Sequence, residues 1–264
     1  MSSNRIDTSE INPLFNSTDE LLARIRELEA RVHDAIEERD AAYREMSELA
    51  RFISHDLRAP LRGIDGYSRA LMEDYGAKLD AVGIAYLQYI SQASRQAAVL
   101  IDKLIYFIRV QSAEMNLQTV DLSRLAADLA QNLENLQPGR NITWEIAPNM
   151  FLQGDFGMIQ ELMRNLLENA WKFTAKLASA RIEIGQLQSS DGVAYFVRDD
   201  GAGFDTKYLG RLFQPFQRLH SSHEFEGAGL GLAIAKRIIQ RHHGRIWAEG
   251  KVDHGATFYF TVSE

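Results

Sequence analysis

The sequence predicts a two-part protein, α plus α+β: a long helical N-terminal part that pairs with itself, then an α/β sandwich built on a mixed sheet. Three observations predict it. An apolar stripe stepping alternately by four and three residues runs from Leu21 to Ile53, the spacing of a coiled-coil seam. After a short break at residues 76–83, a second stripe (Leu87, Ile90, Ser94, Ala97, Ile101, Leu104, Ile108) completes an antiparallel helical hairpin. Beyond about Met115 short strand-like and helical runs mix without strict βαβ alternation, which favours one mixed sheet with helices on one face. A length of 264 residues with 45% hydrophobic and 25% charged side chains suits two folded units.

Residues 1–16 are polar and aperiodic, with Pro13 among them, and read as a disordered lead. Ser17-Thr18-Asp19-Glu20 has the form of a capping box that opens a helix. The seam follows as Leu21, Ile25, Leu28, Val32 and Ala35, is interrupted by Arg39, and resumes at Ala42, Met46, Leu49 and Ile53. Leu49, Ile53, Leu57 and Leu61 then succeed one another in steps of four before Ile64 restores a three, a stutter that locally unwinds a supercoil. A two-helix hairpin has too little core to stand alone, so dimerisation into a four-helix bundle is the simplest remedy. The alternative is a structural coiled coil without chemistry.

Further on, a strand is expected at 117–120 and a helix capped by Asp121 to about Leu136. Strands at 142–147 and 151–153 precede a helix at about 156–173. A hairpin at 180–187 and 193–198, a helix at 229–243 and strands at 245–249 and 257–262 complete the sandwich.

Composition removes several classes of function. With no Cys there is no disulfide scaffold, thiolate metal site or thiol nucleophile. A net charge of −7 argues against a nucleic-acid partner. No run reaches the roughly 18–20 apolar residues of a membrane span, and the first residues lack a secretory signal, so a cytoplasmic location is expected.

His55 lies two residues from both Ile53 and Leu57, so it projects away from the stripe into solvent. Such a residue is ordinarily plain surface. Here Pro60 cannot donate to the Asp56 carbonyl, and the Asp56 carboxylate can hold one ring nitrogen while the other acts. Asn165 and Asn169 share a helix face with Lys172, a pattern that is either solvated surface or oxygen ligation of a hard cation beside phosphates. Asp199 closes a strand before Gly201 and Gly203; a carboxylate there can accept from an adenine amine, and no EF-hand loop follows. Gly227, Gly229 and Gly231 open a helix and can free amides for phosphate, but no strand precedes them as a dinucleotide fold requires. The long aperiodic stretch between Gly203 and Gly227 reads as a lid. His242, His243 and His254 lack companions at metal-ligand spacing and read as packing or surface.

Taken in order, these segments resemble a sensor histidine kinase of two-component signalling, over residues 49–264. The H box is at 55–61, the N box at 165–174, the first glycine box at 199–203 and the F box at 213–216. The second glycine box is at 227–231, and Gly255-Ala256-Thr257-Phe258 resembles the last. The resemblance implies a homodimeric bundle and a Bergerat-type ATP-binding domain. It divides the chain into a lead (1–16), a coiled-coil signalling helix (17–48), a dimerisation and phosphotransfer hairpin (49–114) and an ATP-binding catalytic domain (115–264). It implies autophosphorylation of His55 with Asp56 as general base, Mg²⁺ on Asn169, and Asn165 and Lys172 at the phosphates of ATP. Asp199 reads adenine in a pocket shaped by Gly201 and Gly203, while Gly227, Gly229 and Gly231 wrap the phosphates. Arg218 is expected at the γ-phosphate and Thr257 near the base. The phosphoryl group would then pass to an aspartate on the receiver domain of a response regulator. Many relatives carry Thr or Asn four residues after the His; here Ala59 stands there, which argues against phosphatase activity. Another Bergerat-fold ATPase explains the C-terminal boxes but not the H box. A non-catalytic phosphotransfer or scaffold protein explains the bundle but needs no glycine boxes.

Overall fold

Helix α1 runs from Asn12 to Tyr75, so it begins upstream of the expected capping box and takes in residues 12–16 of the expected lead. Pro13 permits this, because a proline in the first helical turn lacks only an N–H that would have no intrahelical acceptor. The computed structural model describes residues 12–189, 192–217 and 229–263; the remainder of the lead lies outside them. The chain divides into two compact units, Met1–Glu48 and Leu49–Glu264.

In the first unit Leu21, Ile25, Leu28 and Val32 are all exposed along the helix, so the seam is left uncovered among the described residues. Local ion pairs such as Arg24–Glu27 at 2.6 Å line its surface and contribute little by themselves.

The second unit opens with the rest of α1, a 3₁₀ turn at Gly76–Lys78 and helix α2, Ala81–Arg109. Asp80 caps α2 by accepting from the Gly83 amide at 2.7 Å. The hairpin interface takes small polar members of the expected stripe, Ser94 among them, rather than its large apolar ones. Its buried residues are Ser54, Asp65, Ser68, Ser91 and Ser94. Ser94 Oγ donates to the Leu61 carbonyl (2.6 Å) and Ser91 Oγ to Asp65 Oδ1 (2.5 Å). The Ser91 hydrogen bond, together with the Arg69 guanidinium, holds the Asp65 carboxyl below the usual carboxylate range. Leu57, Ile64, Leu71, Ile90 and Leu104 are left 39–45% exposed. The stripe therefore lies mostly beside the helix–helix contact, because only one face of each helix can meet the other.

The sandwich follows as β1 (Leu117–Asp121), α3 (Leu122–Leu136), β2 (Ile142–Ile146), β3 (Phe151–Asp155) and α4 (Phe156–Phe173). Then come β4 (Ala180–Ser189), β5 (Gly192–Asp199), α5 (Gly231–Arg241), β6 (Ile246–Gly250) and β7 (Ala256–Phe260). The main sheet is five-stranded, ordered β2-β4-β5-β7-β6, with β2 and β4 parallel and the other pairs antiparallel. It is mixed, as expected, but it is not the only sheet: β1 and β3 pair with each other in a separate antiparallel ribbon. Asp155 explains the separation. It ends β3 and also caps α4, accepting from the Met158 and Asn116 amides at 3.0 Å each, so β3 is tied to the start of α4. A 3₁₀ turn at Thr206–Arg211, capped by Asp205, was not expected from the sequence.

The core lies between the helices and one face of the main sheet. Leu162, Leu166 and Leu167 of α4 and Ile182, Ile184, Val197, Phe258 and Phe260 of the strands are essentially inaccessible. His242 is a packing residue, as expected: its Nδ1–H faces the Ile238 carbonyl (2.8 Å) while Nε2 accepts from the Asp155 amide (3.0 Å), and burial depresses its pKa. Among the described residues no group of His, Cys, Asp and Glu is suited to hold a metal.

Gly244, after α5, is held by backbone on both sides: its amide donates to the Ile239 carbonyl at 3.0 Å, and an added Cβ would fall 1.9 Å from the Thr261 carbonyl oxygen. Gly244→Ala is expected to lower stability by about 3 kcal/mol, read as the midpoint shift in urea denaturation. A variant that unfolds with the parent would show that the β6 entry relaxes freely.

Candidate active site

Two groups of side chains in the second unit carry chemistry. The first is His55 on α1, whose side chain is 85% exposed. Its Nδ1 lies 3.2 Å from Asp56 Oδ1, so a proton on Nδ1 is held by the carboxylate and the lone pair of Nε2 faces solvent. Pro60 stands in the same helix, one turn beyond the Asp56 carbonyl to which it cannot donate. One turn from His55, Arg58 crosses to α2, its Nε donating to Asp102 Oδ1 at 3.0 Å.

The second group gathers where α4, the end of β5 and the start of α5 meet. α4 buries Leu162, Met163, Leu166 and Leu167, and this sets the rotation of the polar positions between them. Asn165 is 2% exposed. Its amide donates to the Glu161 carbonyl (2.7 Å) and to Glu161 Oε1 (3.0 Å), so Oδ1 points toward α5. A Cβ on Gly231 would meet that oxygen at 2.7 Å, which is why the helix begins with a residue lacking one. Asn169 follows one turn later, half-buried, and Lys172 Nζ sits 4.2 Å from the Phe173 ring centroid.

Asp199 closes β5, buried to 4% exposure. It accepts from the Gly201 amide at 2.9 Å. Burial pushes its carboxyl up to about 7 against the pull of hydrogen bonds from the Gly201 and Ala256 amides. The glycines around it are required by protein backbone. A Cβ at Gly201 would lie 2.5 Å from the Phe173 carbonyl oxygen, and Gly203, at φ +59°, packs so that one would lie 1.9 Å from the Lys251 carbonyl oxygen. The Ala202 amide donates to Phe173 (3.1 Å) and the Gly255 amide to Gly201 (2.9 Å), which ties the end of α4, the loop after β5 and the entry to β7 together. Gly229, at φ +69°, accepts from the Phe216 amide at 2.9 Å. Gly227 and residues 218–226 of the expected lid, Arg218 among them, lie outside the described residues.

Thr257 lies next to Ala256, the residue paired with Asp199; it is itself paired with Arg198, whose Nε donates to its Oγ1 at 3.3 Å, and it lines the same cleft as Asp199. Glu161 was missed, although its place four residues before Asn165 on one helix was available as a signal.

The donor set suits an adenine nucleotide: a buried carboxylate as acceptor for an exocyclic amine, neutral amide oxygens on one face of α4, and glycines at the start of α5.

The Asp199 carboxyl binds its proton more tightly in the folded state than at its ordinary 3.8. Its contribution to stability is therefore fully present below about pH 4 and lost as pH rises through about 7. Between those limits the stability of unliganded Asp199→Asn is expected to gain about 4 kcal/mol on the parent, measured by denaturation across pH. A pH-independent difference would contradict the buried, protonated carboxyl.

Two family models match the chain: the His Kinase A (phospho-acceptor) domain over residues 45–113 and the histidine kinase-, DNA gyrase B- and HSP90-like ATPase over residues 154–264. The chain is 35% identical to cyanobacterial phytochrome B of Nostoc sp. over 232 residues, 86% of this chain and 30% of that protein. It is 29% identical to the sensor histidine kinase AruS of Pseudomonas aeruginosa, over 92% of this chain and 25% of the relative. The chain thus spans about a third or less of these curated relatives. Among solved structures, full-length ShkA in complex with AMPPNP superposes with a TM-score of 0.61 at 27% identity, covering 81% of this chain and 45% of that one.

Proposed function

We propose that the chain is the kinase part of a sensor histidine kinase, an ATP-dependent protein-histidine kinase that phosphorylates itself on His55 and passes the group to a response regulator; the two matching domain families support this reading. The observation that carries the reading is the exposed imidazole with Asp56 against one of its nitrogens. Nε2 attacks the γ-phosphorus; the N–P bond forms as the bond to the bridging oxygen of ADP breaks. Asp56 takes the Nδ1 proton, so the ring is not left cationic. Asp199 accepts from the adenine amine, and Gly201 and Gly203 hold the strand ends that shape its pocket. Asn165 and Lys172 stand at the phosphates with Arg218, Gly227, Gly229 and Gly231. The Asn169 amide oxygen would hold Mg²⁺, which would supply charge neutralisation at the phosphates. Transfer to the regulator moves the phosphoryl group from Nε2 to a receiver-domain carboxylate, with the proton returning to the ring.

The apolar residues left exposed along the hairpin support a homodimer, in which a second copy covers them and completes a four-helix bundle. No helix among the described residues is long and apolar enough to cross a membrane, which supports the reading of a cytoplasmic protein. The divisions at residues 48 and 114 are kept as the proposed domain plan, with the signalling helix already under way at Asn12 rather than at 17.

Incubation with labelled ATP is expected to give one acid-labile, base-stable label, with His55→Gln removing the label and leaving nucleotide affinity unchanged. Full labelling of that variant, or an acid-stable label, defeats the assignment. Ala59 presents only a methyl four residues after His55 and cannot orient a water, so the protein is expected to dephosphorylate its regulator slowly, and Ala59→Thr to accelerate it. Rapid hydrolysis by His55→Gln, which keeps Ala59 and cannot accept the phosphoryl group back, would refute this.

A further inference from the structure

We propose that Arg237 and Arg241 are positioning residues for the phosphorylation of His55: they clamp the end of α2 and hold the nucleotide-binding sandwich at the height of the phosphoacceptor. The inference rests on the kinase reading above. The last carbonyls of a helix have no intrahelical donors, and α2 ends at Arg109. Arg241, on α5, holds the chain just past that last turn: Nη1 donates to the carbonyls of Val110 (2.6 Å) and Gln111 (2.5 Å), and Nη2 to that of Ala113 (2.7 Å). One turn earlier on the same face, Arg237 Nη1 donates to the Phe107 carbonyl (2.9 Å), and its guanidinium lies 3.8 Å from the Phe107 ring centroid. Val110 is 2% exposed, and Tyr106 and Phe107 pack against the sandwich core. The joint between hairpin and sandwich is thus a built interface, and the two arginines are its polar part.

The height of this joint follows from neighbouring contacts. Arg58, one turn from His55, meets Asp102 of α2. The next residue, Lys103, lies 3.5 Å from Glu168 of α4, which immediately precedes Asn169. The turn that carries His55, the adjoining turn of α2 and the turn of α4 that carries Asn169 are therefore linked in sequence. α5 spans the same interval from the other side: Gly231 packs against Asn165 at its start, and Arg237 and Arg241 reach α2 toward its end. Eleven residues of helix extend about 16 Å, a short and stiff strut. Releasing it leaves the nucleotide pocket intact but lets the sandwich leave the level of His55, and transfer requires the reacting atoms to be held within a narrow distance.

The test uses the full chain and separates turnover from nucleotide binding. In Arg241→Met the rate of His55 labelling at saturating ATP is expected to fall at least about tenfold. The KM for ATP and the calorimetric affinity for a non-hydrolysable analogue should stay within about twofold, and Arg241→Lys, which keeps a donor, should recover part of the rate. Labelling at or above the parent rate with unchanged affinity overturns the proposal. If Arg241→Met loses nucleotide affinity, Arg237→Met decides in the same way, because it removes one carbonyl bond and the ring contact and leaves the Arg241 bonds in place. An unlabelled parent protein defeats the kinase reading, and this inference with it; a labelled parent with indifferent arginine variants defeats this inference alone.

Discussion

α4 presses Leu162, Met163, Leu166 and Leu167 against the five-stranded sheet, each fully buried, and the other parts of the second unit take their places from that contact. Each such side chain contributes roughly 1.5–3 kcal/mol on burial, so the rotation of α4 is not open to adjustment. With the apolar stripe fixed, Asn165 must face α5, and Asn169 and Lys172 must follow on the adjoining turns. The C-terminal carbonyl of the helix, Phe173, then meets the Ala202 amide. Glycine is required at 201 and 231 because helix α4 has already claimed the space.

Asp199 is the place where that arrangement costs stability. A carboxylate at 4% exposure with two backbone amides for partners keeps its proton up to about pH 7. A protein optimised for stability alone has no use for an ionisable group there. The polar groups at the hairpin interface are of another kind: Asp65 has the Ser91 hydroxyl and the Arg69 guanidinium, and its carboxyl is held low. One buried acid lacks charged partners and the other has them, and only the first lies beside the glycine loops. That difference, more than burial itself, separates a group available to a ligand from one that ties two helices together.

Elements whose signals are local were legible in the sequence. α4 was read at its observed limits, since Asp155 caps its first turn. His55 was placed in solvent from its phase relative to Ile53 and Leu57 alone. What depended on a partner elsewhere in the chain was not legible. The β1–β3 pairing joins strands separated by α3 and β2, and nothing in either strand names the other. Nor does the motif say that Ala256 is the residue set opposite Asp199, because the sheet register decides that. The arginines of α5 had no signal, because their acceptors are backbone carbonyls, which every residue possesses. The hairpin stripe was legible as a list of residues, Ser94 included, but not which of them meet the other helix and which are left facing outward. Periodicity gives the direction of a face but not its occupant.

That last point bears on how the hairpin holds together. Apolar contact is non-directional, and a helix pair joined by it can slide or turn by small amounts at small cost. Ser94 on the Leu61 carbonyl, Ser91 on Asp65 and Arg58 on Asp102 are directional and occur at successive levels of the hairpin. Turning α1 against α2 must break them as a set, and a buried carboxylate that loses its hydroxyl partner pays the full cost of desolvation. The apolar side chains outside this contact, Leu57, Ile64, Leu71, Ile90 and Leu104, carry no such constraint. The hairpin therefore combines a specific internal register with an adaptable outer face. A rearrangement within it proceeds between discrete hydrogen-bonded states, whereas one against whatever covers the outer face can be gradual.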